Sequence, residues 1–453
     1  MKKRSTILWM LAALVLLAVL VPLASRVPGG TKQEADTSAE LSLDAEAITG
    51  FSLDAGERLT FRREGERWVY EADPAFPLDQ QKVETMLDTL SSLHADKTID
   101  QPEALSGYGL DTPLCRVEAG ELVLSVGKDA AMDGGRYFST GDGKVYITAD
   151  DILTPFRYSL LELAELEAAP AMQTLESVTL ERQGREPLVI RSGQGQNLCY
   201  SPDYIWFGEK DGAPMPLDTE RTQELIRHGT DMTWEGCADY RAEDLSAYGL
   251  DNPTLRLTIE YTEPEAGTYT LEVGTAVSGQ YYARMGDSRV IYWMDAVDVN
   301  ALLKADVGAL YPNEVLLMDW SRVSAVTAEL AGERYTFTPA LREKEQQEAA
   351  EEVTEGEMEQ YWLLRGEEAA LGEVLDRLTA MVPTGSAEGA EPVLAQELRI
   401  TAKQDNPNFP EVTVAFYRAT AEDCLVTLNG RPTVYVPRSE VSALYEQITR
   451  LVL

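Results

Sequence analysis

The side chains that most often carry catalysis or bind metals are scarce in this sequence. It has two histidines, His94 and His228, and neither has a second ligand four residues later. Its 4 cysteines form no Cys-x-x-Cys pair; they are Cys115, Cys199, Cys237 and Cys424. Zinc sites and redox motifs need closely spaced ligands. We therefore predict no catalytic, cofactor-binding or metal-binding residues. We expect the histidines on the surface or at helix ends and the cysteines in cores, with disulfides as the alternative outside the cell.

Motifs for nucleotides and activated nucleophiles are also missing. The sequence contains no GxSxG, no P-loop and no GxGxxG, so it does not resemble a nucleotide-hydrolysing subunit. Acidic residues are abundant, with 76 Asp and Glu, and a glycosidase needs only two carboxylates about 5 to 10 Å apart. In so acidic a chain the sequence cannot select such a pair. A carboxylate-dependent hydrolase is therefore a minor alternative to a non-enzymatic protein.

Aromatic residues are dense in the segment LCYSPDYIWFGEK, residues 198–210. Exposed rings could stack on sugars, which makes a cell-envelope module that binds glycan or peptide an alternative function. The same pattern fits a buried hairpin of the second domain, and this is the interpretation that we favour.

One motif occurs twice, as LSGYGLDTP from Leu105 to Pro113 and as LSAYGLDNP from Leu245 to Pro253. Its glycine can adopt positive φ, its Asp can hydrogen-bond the backbone, and its Pro can begin a strand. Its Leu can fill a core, and its Tyr can lie on a sheet with the hydroxyl in water. We predict a structural corner, and a repeated ligand groove is the alternative. The candidate residues are Tyr108, Gly109, Leu110, Asp111, Pro113, Tyr248, Gly249, Leu250, Asp251 and Pro253.

The YGLD motif belongs to a longer repeated order of elements. A strand pair is followed by a helix that begins with Pro-Leu-Asp, at Pro77 and at Pro216, then by the motif and by strands with a Val-Gly pair. A closing helix follows, predicted at 149–156 in the first copy. The period of about 140 residues is far longer than a solenoid repeat, so the copies are predicted to be tandem domains.

The predicted fold class is α+β, with an N-terminal transmembrane helix followed by three tandem α+β repeat domains with mainly antiparallel sheets. The predicted boundaries are 46–168 for repeat 1, 169–312 for repeat 2 and 313–453 for a divergent repeat 3. Repeat 3 lacks the YGLD motif and carries an acidic insertion at 341–360. We expect this insertion to be a solvated helix or a flexible loop.

The N-terminus has the charge and hydropathy pattern of a membrane anchor. Three basic residues at 2–4 precede an apolar run at 7–23, and about 17 to 20 apolar residues can cross a bilayer. Because a basic flank stays in the cytoplasm, residues 1–26 are predicted to be a single-pass transmembrane anchor, followed by a linker at 27–45. The bulk of the chain would then lie outside the cytoplasm. A cleaved signal peptide is the alternative.

The charge of the chain limits its partners. The formal net charge is −37, which repels polyanions, so nucleic acid and anionic lipid surfaces are poor partners for the soluble part, and we predict no nucleic-acid partner. A neutral or cationic partner is compatible with this charge.

Taken together, several features resemble the bacterial family known as domain of unknown function 4340. They are the basic N-terminus with one membrane segment, a hairpin with Trp68-Val69, the Pro-Leu-Asp helix start, the YGLD motif, the Val-Gly pair and a Val-Tyr strand. The resemblance covers about residues 46–310 and, weakly, the third repeat. It implies a membrane-tethered extracytoplasmic protein whose relatives are often associated with ABC transport systems, including the auxiliary component of gliding-motility transporters. From the anchor, the duplicated scaffold and the lack of a catalytic cluster, we expect a non-enzymatic accessory protein. The implied partners are the cytoplasmic membrane and ABC transporter permease or ATPase subunits. That family has no established catalytic residues to transfer.

Overall fold

The chain is represented by a computed structural model that describes residues 39–41, 44–131, 134–210, 212–343, 358–387 and 389–453. The predicted transmembrane segment at 1–26 and most of the predicted linker at 27–45 lie outside these residues. Within the described ranges, no helix combines the length and the apolar character that crossing a membrane requires. The chain divides into two compact units, Met1–Glu165 and Leu166–Leu453.

Three large antiparallel sheets dominate the described chain, which confirms the predicted mainly antiparallel α+β class. The first sheet, in the first unit, has eight strands. In spatial order they are Arg67–Tyr70, Arg58–Glu64, Gly50–Asp54, Cys115–Ala119, Leu122–Asp129, Arg136–Ser139, Val145–Thr148 and Lys97–Ile99. Helix α1, Gln80–Ser91, accompanies this sheet. A separate two-stranded sheet pairs Ala39–Glu40 with His94–Ala95.

The second sheet has nine strands and lies in the second unit. In spatial order they are Ala213–Leu217, Trp206–Lys210, Leu188–Ser192, Thr174–Arg182, Leu255–Glu263, Gly267–Val277, Gln280–Met285, Ile291–Asp295 and Trp234–Asp239. Two helices accompany it, α2 at Thr219–Thr230 and α3 at Ala296–Lys304.

The third sheet, also in the second unit, has nine strands. In spatial order they are Glu367–Ala369, Met358–Leu364, Glu333–Glu343, Val323–Leu330, Gln396–Gln404, Glu411–Arg418, Asp423–Leu428, Arg431–Pro437 and Gly385–Ser386. Its helices are α4, Leu371–Thr379, and α5, Arg438–Val452. Both ends of the predicted acidic insertion at 341–360 therefore belong to strands, and its middle, 344–357, lies outside the described residues.

The three sheets share one strand order. In each, a first run of strands extends from the centre of the sheet to one edge. The chain then forms a helix and a single strand that lies at the opposite edge of the sheet. The second run of strands begins at the centre and fills the sheet up to that edge strand. The two runs meet through their first strands, as Gly50–Asp54 meets Cys115–Ala119 in the first sheet. This common strand order is what a repeated module would produce. The domain boundaries given above stay a prediction.

Local sequence explains why these elements form. In strand Val323–Leu330, buried and more exposed residues alternate, as expected where one face of a strand covers a core. Helix α1 buries its apolar positions at spacings of three and four residues, Val83, Met86, Leu87 and Leu90. Its Asp79 caps the helix by accepting hydrogen bonds from two backbone N–H groups, and Asp218 caps α2 with one. Both predicted caps are confirmed.

The helix predicted at 149–156 is wrong. Only Thr154–Phe156 is helical there, as a short 3-10 turn. The segment is short, and Pro155 disfavours a helical conformation of the residue before it. The equivalent segment of the second repeat has no proline and forms α3 from Ala296 to Lys304.

Candidate functional site

The two copies of the YGLD motif form the same corner. Leu105–Tyr108 and Leu245–Tyr248 each make a single 3-10 turn, and Gly109 or Gly249 ends it with φ of 72° or 69°. This left-handed conformation favours glycine. In both corners the N–H of the leucine after the glycine donates to the carbonyl of the leucine that begins the turn, at 3.0 Å.

Each corner lies directly against the strand that carries the Val-Gly pair. A Cβ placed on Gly127 would lie 2.3 Å from the carbonyl oxygen of Tyr108, and one on Gly274 would lie 2.1 Å from that of Tyr248. Both distances are far below van der Waals contact, so the backbone of the corner can lie there only because these residues have no side chain. Sequence reasoning identified the pair without this reason for it.

The corner tyrosines pack edge-to-face on tyrosines of an adjoining strand. Tyr108 contacts Tyr137 with ring centroids 5.1 Å apart, and Tyr248 contacts Tyr282 at 5.0 Å. In the second repeat Trp293 also packs on Tyr282, with the two ring centroids 4.3 Å apart. Both corner tyrosines are half-buried on their sheets.

The two corner tyrosines differ at their hydroxyl groups. Tyr248 Oη donates to Asp239 Oδ2 at 2.6 Å. This hydrogen bond to a carboxylate, together with partial burial, raises the pKa of Tyr248 to about 12. The Tyr108 hydroxyl makes no hydrogen bond to any described residue. Of the two corners, only the second therefore has the tyrosine–aspartate hydrogen bond, which we call the polar tie.

The other residues of the motif are also arranged alike. Their leucines are buried and their prolines half-buried. The backbone hydrogen bond expected of the aspartates is not formed, since these exposed carboxylates make no hydrogen bond within the described chain. These residues are Leu110, Asp111 and Pro113 in the first corner and Leu250, Asp251 and Pro253 in the second. None of them lines either of the two pockets described below. Their structural role stays a prediction, which this packing favours.

Each histidine lies beside a carboxylate from a distant part of the chain. His94 Nδ1 is 3.1 Å from Asp150 Oδ2, and His228 Nδ1 is 2.8 Å from Asp298 Oδ1. His228 and Glu224 line an open surface pocket of about 360 Å³. Sequence spacing could not reveal these pairs, because the partners come from separate elements. Across the described residues, no group of three or more His, Cys, Asp or Glu could hold a metal ion.

All four cysteines are free thiols. Cys115, Cys237 and Cys424 are buried, as predicted, and Cys199 is partly buried. Burial raises the pKa of Cys115 and Cys424 to about 12 and that of Cys237 to about 11. Thiols that stay protonated in a core are poor nucleophiles at neutral pH.

The aromatic side chains of the segment at 198–210 are buried, but in two cores. Tyr200, Tyr204 and Phe207 are 6 %, 5 % and 3 % exposed and belong to the core of the third sheet. Trp206 belongs to the core of the second sheet. Trp206 and Phe207 are successive residues of one strand, so their side chains point to opposite faces. The predicted buried hairpin of the second domain is confirmed, and the structure adds that three of its aromatic side chains pack in the core of the third sheet.

A polar cleft of about 440 Å³ lies between the loop at 193–205 and the turn at 404–407; we call it the inter-repeat cleft. Asn197 and Asn406 exchange two side-chain hydrogen bonds of 2.7 and 2.9 Å across it. Gln404 Nε2 donates to the Tyr200 carbonyl at 3.0 Å. Sequence reasoning missed this cleft because its two walls are far apart in the chain.

Comparison with known families gives one result. The model of the family described as domain of unknown function (DUF4340) matches two overlapping segments, residues 68–228 and 209–381. Two successive matches agree with the repeated strand order. No curated protein and no solved structure matches this chain.

Proposed function

This chain belongs to the family described as domain of unknown function (DUF4340), and from that premise we propose that it is a non-enzymatic accessory protein of an ABC transport system. In this proposal residues 1–26 cross the cytoplasmic membrane once, with the N-terminus inside the cell. The three α+β repeats lie outside the cytoplasm and contact transporter subunits or their cargo.

The observation that carries the proposal is the pattern of the N-terminus. Basic residues at 2–4 and the apolar run at 7–23 favour an anchor with a cytoplasmic basic flank. An external, strongly acidic protein attached to the membrane is suited to contact membrane proteins rather than nucleic acid.

The packing of the repeated YGLD motif supports a structural role for the motif rather than a catalytic one. In the two corners, the tyrosine rings pack on neighbouring rings and the glycines allow close backbone packing. Side chains that serve packing in this way belong to a scaffold.

The location is tested with reporter fusions to the full-length N-terminal region. Alkaline phosphatase fused after residue 40 should be active, and green fluorescent protein at the same position should be dark. A matched variant in which the basic residues at 2–4 are replaced by glutamate should lose this orientation. Fluorescent, inactive fusions of the unaltered sequence would contradict the external location.

The partner is tested by purifying the full chain from detergent-solubilised membranes. The proposal expects a permease or ATP-binding subunit of an ABC transporter to co-purify in a fixed ratio. The control is the same protein without residues 1–26, exported by a cleavable signal. Repeated recovery of the full chain alone would contradict the accessory role.

A further inference from the structure

We propose that the inter-repeat cleft binds a compact neutral ligand rich in hydroxyl groups, namely one or two sugar residues. Binding is through hydrogen bonds, because the aromatic rings next to the cleft are buried. This inference depends on neither the membrane anchor nor the transporter.

The cleft has the size of a binding site, and hydrogen bonds join its two walls. Its volume of about 440 Å³ falls in the range of about 300–1,000 Å³ that is usual for small-molecule sites. Tyr200, Tyr204 and Phe207 fix its floor in the core of the third sheet. The Asn197–Asn406 pair and the hydrogen bond from Gln404 to the Tyr200 carbonyl fix the two walls relative to each other.

Several hydrogen-bonding groups that line the cleft are not used by the fold. The carboxamides of Gln194 and Gln196, the guanidinium of Arg322 and the carboxylate of Asp405 make no hydrogen bond or ion pair with any described residue. All four residues are exposed. Together they offer donors and acceptors around one cleft, and a hydroxyl group can pair with either.

The charge of the cleft favours a neutral ligand. The whole chain carries a formal charge of −37, but the lining has one basic residue, Arg322, and one acidic residue, Asp405. The remaining lining residues are uncharged, so the cleft has neither the excess of positive charge that binds phosphate or carboxylate nor the excess of negative charge that binds cations.

The shape of the cleft favours a sugar over a peptide. Extended peptides bind most often by adding a strand to an open sheet edge or by lying along a groove. Here the walls are turns, 193–197 and 404–407, and the nearby strand Trp206–Lys210 is already paired on both sides. A compact ligand that pairs with several amides at once fits this geometry better.

The test is a titration of the purified full chain with a panel of neutral sugars, cellobiose, maltose and diacetylchitobiose, followed by saturation-transfer NMR and calorimetry. At least one sugar should bind saturably. Arg322→Ala and Gln196→Ala should each weaken that binding about tenfold, as expected for the loss of one strong hydrogen bond. Arg157→Ala and Gln81→Ala replace exposed residues of the first unit and should leave the affinity unchanged.

Thermal unfolding of each variant checks that the fold is intact, and a capped neutral tripeptide is titrated in parallel. The proposal is overturned if no sugar of the panel binds, if the tripeptide binds and the sugars do not, or if the cleft variants bind sugar as well as the controls do.

Discussion

Gly127 and Gly274 lie where one methyl group would meet the backbone of a corner. Replacing either by alanine should lower the free energy of unfolding by about 2 kcal/mol or more, because a main-chain carbonyl cannot rotate away as a side chain can. Urea unfolding of the full chain, followed by circular dichroism, measures this loss.

Gly107→Ala is the matched control for Gly127→Ala. A Cβ on Gly107 meets nothing within 4 Å, and the equivalent position of the second corner is Ala247. This substitution should leave stability unchanged or raise it by up to about 1 kcal/mol, through the lower entropy of the unfolded chain. Equal stability of the two variants would contradict the packing argument.

Tyr248→Phe tests the polar tie of the second corner. At neutral pH the loss of the hydrogen bond to Asp239 should cost about 1 kcal/mol, since the pair is only half-buried. The pKa of Tyr248 is raised to about 12 in the folded chain, against about 10 when unfolded. The hydroxyl therefore stabilises the fold fully below about pH 10, and this contribution disappears as the pH rises towards 12.

The measurement is unfolding of the wild type and of Tyr248→Phe between pH 8 and 12. The difference between them should shrink over the upper half of that range. Tyr108→Phe is the control, because the Tyr108 hydroxyl has no described partner, and it should change stability little. A constant difference at all pH values would show that the hydroxyl contributes in another way.

At the scale of the element, short-range signals in the sequence were sufficient for much of the fold. The helix caps at Asp79 and Asp218 and the alternation within strands depend on neighbouring residues, so the sequence predicts them directly. The helix predicted at 149–156 failed because Pro155 overrides the acidic start. The corner glycines could be predicted from their turn, whereas Gly127 could not, because its constraint comes from the carbonyl of Tyr108 in the corner, outside its own strand.

The 193–205 loop should stabilise the third sheet although it belongs to a hairpin of the second. Tyr200→Ala should remove a large side chain from the third core and cost about 3 kcal/mol. Native-state hydrogen exchange should show the largest loss of protection in the strands of the third sheet, such as Val323–Leu330 and Glu411–Arg418.

Leu188→Ala is the matched control. Leu188 is buried in the core of the second sheet, one strand away from Trp206. Its replacement should reduce protection in the second sheet first. If Tyr200→Ala reduced protection in the second sheet alone, the assignment of this side chain to the third core would be wrong.

For the whole molecule, the net charge of −37 predicts a stability that depends on salt. Repulsion among carboxylates opposes a compact state, and added salt screens it. Raising sodium chloride from about 0.02 to about 0.5 M should therefore raise the Tm by several degrees at neutral pH. Near pH 4, where carboxyl groups are about half protonated, the same addition should have a smaller effect. A Tm that falls with salt at neutral pH would mean that ion pairs dominate instead.

The arrangement at this scale was the least predictable part of the fold. The order of elements within each repeat can be predicted from segments that follow one another in the chain. The packing of the 193–205 loop on the third sheet depends instead on residues about 200 positions later, such as Gln404 and Asn406. The inter-repeat cleft also forms between these two distant segments. A pattern search along the sequence cannot pair such segments, even when it identifies each one.

The hairpin connection differs between the first two copies: in the first sheet it is the tight turn at 65–66, and in the second it is the long loop at 193–205. The copies are therefore not interchangeable. In a shuffled gene that placed the first copy directly before the third, the tight turn would supply no counterpart of Tyr200 and Tyr204. The third core would then be left open to solvent at the place that these two side chains cover. The long connection therefore sets the order in which the second and third copies can be joined.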